Sequence, residues 1–345
     1  MKDNGMNIRK HRTWKHVLLV IALSVSACMF LLSCRHIPLY DPDAGLYLDF
    51  NITEGPSSVL TQDIMDGIPT VENRRIMGEM PQLIIVDVYD AATHELVLEE
   101  YLPPRGGFVN IEQGTYSIIA YGCNSEVNRF DGTSSLGSAR ALTSEIGSVL
   151  KFTKTDGEGE KTHIQYPIIY EPDHIFVATA EDVVILPKAD RKGTVRLEMK
   201  ANTLLESYTF EAVNVKGVEH ISRLTCYVTG QVPSRYMWDR HWPSDICAIP
   251  VEAAVDQETG HIIAAFNTFG KHPQAFANVF LNVMVENYSG GMYQWIYDVT
   301  GQFDDPDNVD HNLVITDEIF VPDSDAGGFT PDVNDWSGEI IHVPL

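Results

Sequence analysis

Apolar and polar residues alternate at period two in stretch after stretch of this chain, the spacing of a strand that buries one face. Leu46, Leu48, Phe50 and Ile52 alternate with Tyr47, Asp49 and Asn51 and predict the first strand. Ile84, Val86 and Val88 share one face of a second, which turns through Asp90-Ala91-Ala92-Thr93 and pairs back over 94–101. Segments 115–121 and 176–186 are rich in branched and aromatic residues and read as strands too. Val195, Leu197 and Met199 against Arg196, Glu198 and Lys200 give the cleanest alternation. Further strands are predicted over 208–215, 222–228, 261–269, 279–285, 292–300, 313–321 and 339–343. Leu142, Ile146 and Leu150 recur at helical spacing, which predicts a short helix within 134–150. Residues 53–80 carry no period and read as a long loop, and Asp156-Gly157-Glu158-Gly159 as a turn.

Many short strands separated by turns point to sandwiches or barrels rather than to a parallel α/β sheet. No repeat of solenoid length interrupts them. The polar, turn-prone stretch from Pro187 to Gly193 marks a division. The expected fold is therefore all-β, with two tandem β-sandwich domains over 45–189 and 190–345.

The start of the chain follows a different pattern. The run 17–32 is apolar apart from Ser24 and Ser26, and Lys2, Arg9, Lys10, Arg12 and Lys15 precede it with only Asp3 against them. It is shorter than the roughly 20 apolar residues of a membrane-spanning helix, so it reads as a secretory signal. Leu31-Leu32-Ser33-Cys34 closes the run and resembles a bacterial lipobox. Small Ser33 leaves the scissile bond accessible, and Cys34 is then the lipidated first residue of the mature protein. On this reading 1–33 is a signal peptide and 34–44, with Pro38 and Pro42, a lipidated tether. Each buried methylene adds about 0.8 kcal/mol, and more than one acyl chain gives stable anchoring. The weaker alternatives are an ordinary signal with an incidental Cys34, or an uncleaved anchor helix.

Composition narrows the function. Lys+Arg number 24 against Asp+Glu 48, a net charge of −24, which repels nucleic acid and anionic headgroups. Beyond Cys34 the mature chain keeps Cys123, Cys226 and Cys247, an odd number and no disulfide framework, although a Cys226–Cys247 bridge fits an oxidising compartment. The acidic stretch Asp304-Asp305-Pro306-Asp307-Asn308-Val309-Asp310 lacks the glycine and glutamate offsets of an EF-hand and reads as a solvated loop rather than a metal site. Histidines are scattered without zinc spacing, and neither a Gly-x-Ser-x-Gly elbow nor a phosphate loop is present. The expectation is a non-enzymatic protein with no cofactor. Tyr236, Trp238 and Trp242 are either a stacking platform for sugar or protein or the packing of a long loop; the second is the simpler account.

Several motifs together resemble the fimbrillin-like superfamily, in particular its FimB/Mfa-type fimbrial anchor and accessory lipoproteins. In the first half the match is Ile111-Glu112-Gln113-Gly114-Thr115-Tyr116-Ser117-Ile118-Ile119-Ala120-Tyr121. In the second it is Val215-Lys216-Gly217-Val218-Glu219-His220-Ile221, running on to Cys226-Tyr227-Val228-Thr229-Gly230. The stretch 312–322 with Gly328-Phe329 and Trp336 is similar to the closing strands. Cys226 departs from the small residue usual there, and 53–80 has no counterpart. The resemblance implies two transthyretin-like sandwiches, anchoring to the outer membrane through the lipid, and fimbrial subunits as partners, joined by strand addition. In polymerising relatives a protease cuts after a basic residue beyond the first strand, which singles out Arg74 and Arg75. An anchor needs its link to Cys34 intact, so the expectation is that no cut occurs. The alternative function is a surface glycan-binding lipoprotein.

Overall fold

A computed structural model of the chain describes residues 45–52, 81–155, 161–188, 190, 194–273, 278–323 and 336–342, with side chains left undescribed for 152–155, 161–162 and 336–342. The described residues belong to one unit, Ala44–Leu345. The predicted first strand is Gly45–Ile52, and its alternation is realised as Leu46 and Leu48 buried with Asp49 and Asn51 exposed. It lies inside a seven-stranded sheet of order Leu96–Leu102, Ile84–Asp90, Gly114–Cys123, Ile175–Ile185, Val195–Thr203, Gly45–Ile52, Gly107–Asn110. Its neighbour Val195–Thr203 is parallel, in register from Leu46↔Val195 to Ile52↔Ala201, and Gly107–Asn110 is antiparallel. Leu46 and Leu48 join Val86, Ile118, Phe176 and Met199 in one core, although their strands are spread across the sheet, so the sheet curls around its own apolar face. Burying a side chain such as Leu48 contributes about 1.5–3 kcal/mol.

The turn that returns the chain to the first strand depends on a glycine. Gly106 has φ +99, and a Cβ there would stand 2.0 Å from the Leu48 carbonyl oxygen. Only a residue without a side chain lets the backbone approach that closely.

The second core lies between two sheets. One has four strands, Ala253–Val255, Ile262–Thr268, Glu206–Ala212 and Asn312–Ile315. Facing it are Met292–Asp298, Phe280–Asn287, Ile221–Gln231 and Cys247–Val251 of a seven-stranded sheet that continues through Lys161–Ile169 and Glu145–Thr155 to Trp336–His342. Phe210, Phe266, Leu281, Val283 and Trp295 fill the space between. The period-two rule is visible at Phe280–Asn287: Leu281, Val283 and Val285 enter this core, while Phe280 points the other way and packs with Leu150, Tyr166 and Ile168.

All the strands anticipated above are present as strands, with shifted ends. The helix expected within 134–150 is not. Arg140–Thr143 pairs with strands on both sides, and Glu145–Thr155 pairs with Lys161–Ile169. A spacing of four is also two full strand periods, and Ile146 and Leu150 accordingly join one core cluster. The chain bulges between Glu145 and Ser148, where Gly147 takes φ 74. The expected division at 190 falls between Ile175–Ile185 and Val195–Thr203, two strands that pair in a single sheet. Conversely, Glu145–Thr155 and Lys161–Ile169, from the first half of the chain, extend the second half's large sheet. Among the described residues, helix is confined to Thr300–Phe303 and the 3₁₀ turn Val218–His220.

Candidate interaction surface

Cys34, Arg74 and Arg75, the residues singled out for lipidation and cleavage, lie outside the described residues. The first strand, which decides what a cut beyond it would release, is described. Beyond its buried leucines, it is fastened on its exposed side. The Tyr47 ring meets Phe108 edge-on at 4.8 Å, and the Arg196 guanidinium lies 4.6 Å over Tyr47 while standing 3.6 Å from Asp49.

A sheet edge offers unpaired backbone groups to a partner strand. Leu96–Leu102 is the end strand of the first sheet; among the described residues it pairs as a strand with Ile84–Asp90, and on its outer side the Leu96 N–H donates to the Ser134 carbonyl at 3.0 Å. Its outer face carries Val97 and Tyr101, 53% and 52% exposed, with Glu99 between them. The Tyr101 hydroxyl donates to Glu99 Oε1 at 2.5 Å. The hairpin that sets this edge is held by Asp90, whose Oδ1 accepts from the backbone N–H of Ala92 and Thr93, both at 2.9 Å. Those two donors hold the Asp90 carboxyl below its usual range.

Behind that edge lies a group the alternation gave no reason to single out. Asp87 is on the opposite face of Ile84–Asp90 from Val86 and Val88, and it is fully buried. The Tyr121 hydroxyl donates to its Oδ2 at 3.0 Å. The Tyr89 hydroxyl is 3.3 Å from the same oxygen and 3.0 Å from the Thr133 carbonyl. Asp87 Oδ1 has no partner among the described residues. Burial raises the Asp87 carboxyl to about 6, against the opposing pull of the Tyr121 hydrogen bond and with a smaller push from Glu99. Burial also raises both tyrosines. The residues that cover them, Leu136, Ala139 and Ala141, come from a segment folded over the sheet's outer face, joined by Met237 and Phe269 from further along the chain.

The remaining candidates are absorbed by packing. Trp238 packs against that same outer-face cluster, Tyr236 stacks on His241 with 3.7 Å between centroids, and the Arg235 guanidinium lies 4.9 Å over Trp242. Tyr236 and Trp238 are thus taken up by packing on the loop's own fold, while Trp242 stays 36% exposed under Arg235. In the acidic loop, Asp304 takes Lys271 Nζ at 2.6 Å, and Asp305 Oδ1 accepts from the Asp307 N–H at 2.9 Å. Among the described residues, no three His, Cys, Asp or Glu side chains converge as metal ligands would. Cys123, Cys226 and Cys247 are free thiols. Cys226 pairs across the ladder with Val251 and Cys247 with Gln231, so the bridge between them is not formed.

Comparison with known proteins matches these features to one group. A fimbrium anchoring subunit by name, Fim4B of Bacteroides ovatus, is 23% identical over 175 residues, 49% of this chain and 48% of that protein. The chain therefore matches about half the length of this curated relative. The crystal structure of a protein described as an adhesin, also from Bacteroides ovatus, superposes with a TM-score of 0.53 at 17% identity, covering 81% of this chain and 95% of that one. That likeness shows a shared β-sandwich fold. The fimbrial anchor protein Mfa2 of Porphyromonas gingivalis gives a TM-score of 0.45 at 14% identity over 80% of this chain and 90% of that one, too distant to carry an argument. The model of one family spans residues 74–252, across both cores, and the chain belongs to that family, described as a domain of unknown function, DUF5119.

Proposed function

We propose that this protein is a fimbria-associated subunit of the cell surface, serving as anchor or accessory piece, held to the outer membrane by a lipid on Cys34. The observation that carries the reading is the likeness to the anchoring subunit Fim4B, on a chain built almost wholly of strands. The fastening of Gly45–Ile52 supports the anchor role in particular. That strand is bonded on both flanks and buries Leu46 and Leu48, so an uncut chain carries load from Cys34 directly into a sheet. Partner subunits join by strand addition, in which backbone hydrogen bonds supply affinity and side-chain pockets set register. Leu96–Leu102 suits that role, as the end strand of its sheet with Val97 and Tyr101 exposed beyond the Leu96–Ser134 contact. Nothing in this role calls for catalysis or a cofactor.

Fractionation tests the tether. Cys34→Ala is expected to leave the membrane pellet while keeping its circular dichroism; a mutant still in the pellet overturns the lipid anchor. N-terminal sequencing of protein taken from cells tests the anchor role. A mature chain that starts at Cys34 supports it, and one that starts at Arg75 or Ile76 makes this a polymerising subunit instead.

A further inference from the structure

A pocket of about 730 Å³ opens between the small sheet Ser234–Tyr236, Arg140–Thr143, Asn128–Asp131, the start of the strand Glu145–Thr155 and the end of the strand Lys161–Ile169. Its size falls among those of small-ligand sites, roughly 300–1,000 Å³. Its floor follows from strand pairing. Arg129 and Ser234 both stand opposite Leu142, and one step along the same face Asp131 and Tyr236 both stand opposite Arg140. The other face of this sheet, with Phe130 and Ala141, is committed to the buried cluster beside Asp87. The floor face is left to line the pocket, with two arginines in a chain of net charge −24.

The charges in the pocket are not spent on one another. Arg140 pairs with Asp131 at 2.9 Å, outside the lining. Arg129 is exposed; among the described residues it donates through Nη1, to the carbonyls of Glu126 at 2.8 Å and Asn128 at 3.0 Å, and makes no ion pair. Glu145 and Asp245, also in the lining, make none among the described residues either. Ser144, Ser234 and Ser244 also line it, together with the apolar residues Pro167 and Ile246.

This lining selects by elimination. An arginine fork with open donors takes a planar carboxylate. Two unpaired carboxylates repel a second anion but accept readily from uncharged hydroxyls. The prolines and isoleucines suit a ring face of C–H groups. We propose that the pocket binds a carboxylate-bearing saccharide, with the acid on Arg129, sugar hydroxyls on Glu145 and Asp245, and a ring against Pro167 and Ile246. A poly-acidic peptide meets the two carboxylates, and a neutral glycan leaves Arg129 unused. The site is independent of the strand edge and goes beyond a fimbrial role.

Titration calorimetry on the full-length protein tests it, with 3′-sialyllactose and tri-galacturonate as acid probes and lactose as the neutral counterpart. Saturable binding of at least one acid probe, absent for lactose, is expected. Arg129→Gln should weaken it about tenfold or more, the loss of one charge-assisted contact. Ser244→Tyr, at an exposed position on the rim, should block it while leaving the circular dichroism unchanged. Absence of binding for both acid probes, equal binding of lactose, binding of a zwitterionic tripeptide in their place, or full affinity in both variants each overturns the proposal.

Discussion

The two cores are closed in different ways. Around Phe210 and Trp295, closure combines hairpin neighbours, Phe280–Asn287 with Met292–Asp298 and Ala253–Val255 with Ile262–Thr268, with distant partners spread over two facing sheets, such as Glu206–Ala212 with Asn312–Ile315. Around Leu48 and Ile118, closure comes from far away, because Gly45–Ile52 takes Val195–Thr203 as its parallel partner. The first arrangement rests on the aromatic volume between two facing sheets. The second rests on one inserted strand and on the glycine that admits its neighbour. A local defect should therefore weaken the two cores by different routes.

The largest expected effect is in the two-sheet core. Phe210→Ala removes a buried ring and should cost about 3–5 kcal/mol in denaturant unfolding, with Leu96–Leu102 and its neighbours keeping their hydrogen-exchange protection longest. Loss of protection in both cores together would erase the contrast and make them one cooperative unit. Next is Gly106→Ala, where backbone conformation and a Cβ overlapping the Leu48 carbonyl act together. About 3 kcal/mol or more is expected, read first as faster exchange in Gly107–Asn110 and Gly45–Ile52.

Asp87→Asn sharpens the contrast with the opposite sign. A carboxyl raised from 3.8 to about 6 keeps its proton longer in the folded chain than in the unfolded one. Its contribution is therefore most favourable below the unfolded value and is lost as pH climbs through about 6. The amide carries no such dependence. The variant should be more stable by about 2–3 kcal/mol at pH 7 and nearly equal to the parent near pH 4. A gap that does not change with pH would show that folding leaves the Asp87 carboxyl unshifted. The smallest effect is Arg196→Ala. Its ion pair with Asp49 is solvent-exposed on both sides, so a change under about 1 kcal/mol is expected from thermal melts, mostly from the lost contact with Tyr47.

The sequence shows most of the strands because alternation is a local property that burial enforces. Leu46 to Ile52 and Val195 to Met199 are legible for that reason, yet nothing local says that they are neighbours. Asp87 was hidden by the same logic. With Ile84, Val86 and Val88 facing a core, the opposite face reads as solvent, but the segment carrying Leu136 to Ala141 covers it. Tyr89 and Tyr121, aromatic on that face, were the available signal. The pocket was equally invisible, since Arg129, Arg140 and Ser234 meet only through the pairing of three short strands. The helix expected over 134–150 failed because helix and strand share a spacing of four, and only pairing partners separate them.

The placement of Gly45–Ile52 also has a mechanical consequence. Tension applied to the chain ahead of Gly45 runs along the strand axis, while its backbone hydrogen bonds to Val195–Thr203 and Gly107–Asn110 lie across that axis. They are strained in shear, all at once, instead of being peeled apart one after another. A body pulled from this end resists as a whole ladder, and it would yield far more easily to a pull across the outer strand Leu96–Leu102, whose pairs can open one after another.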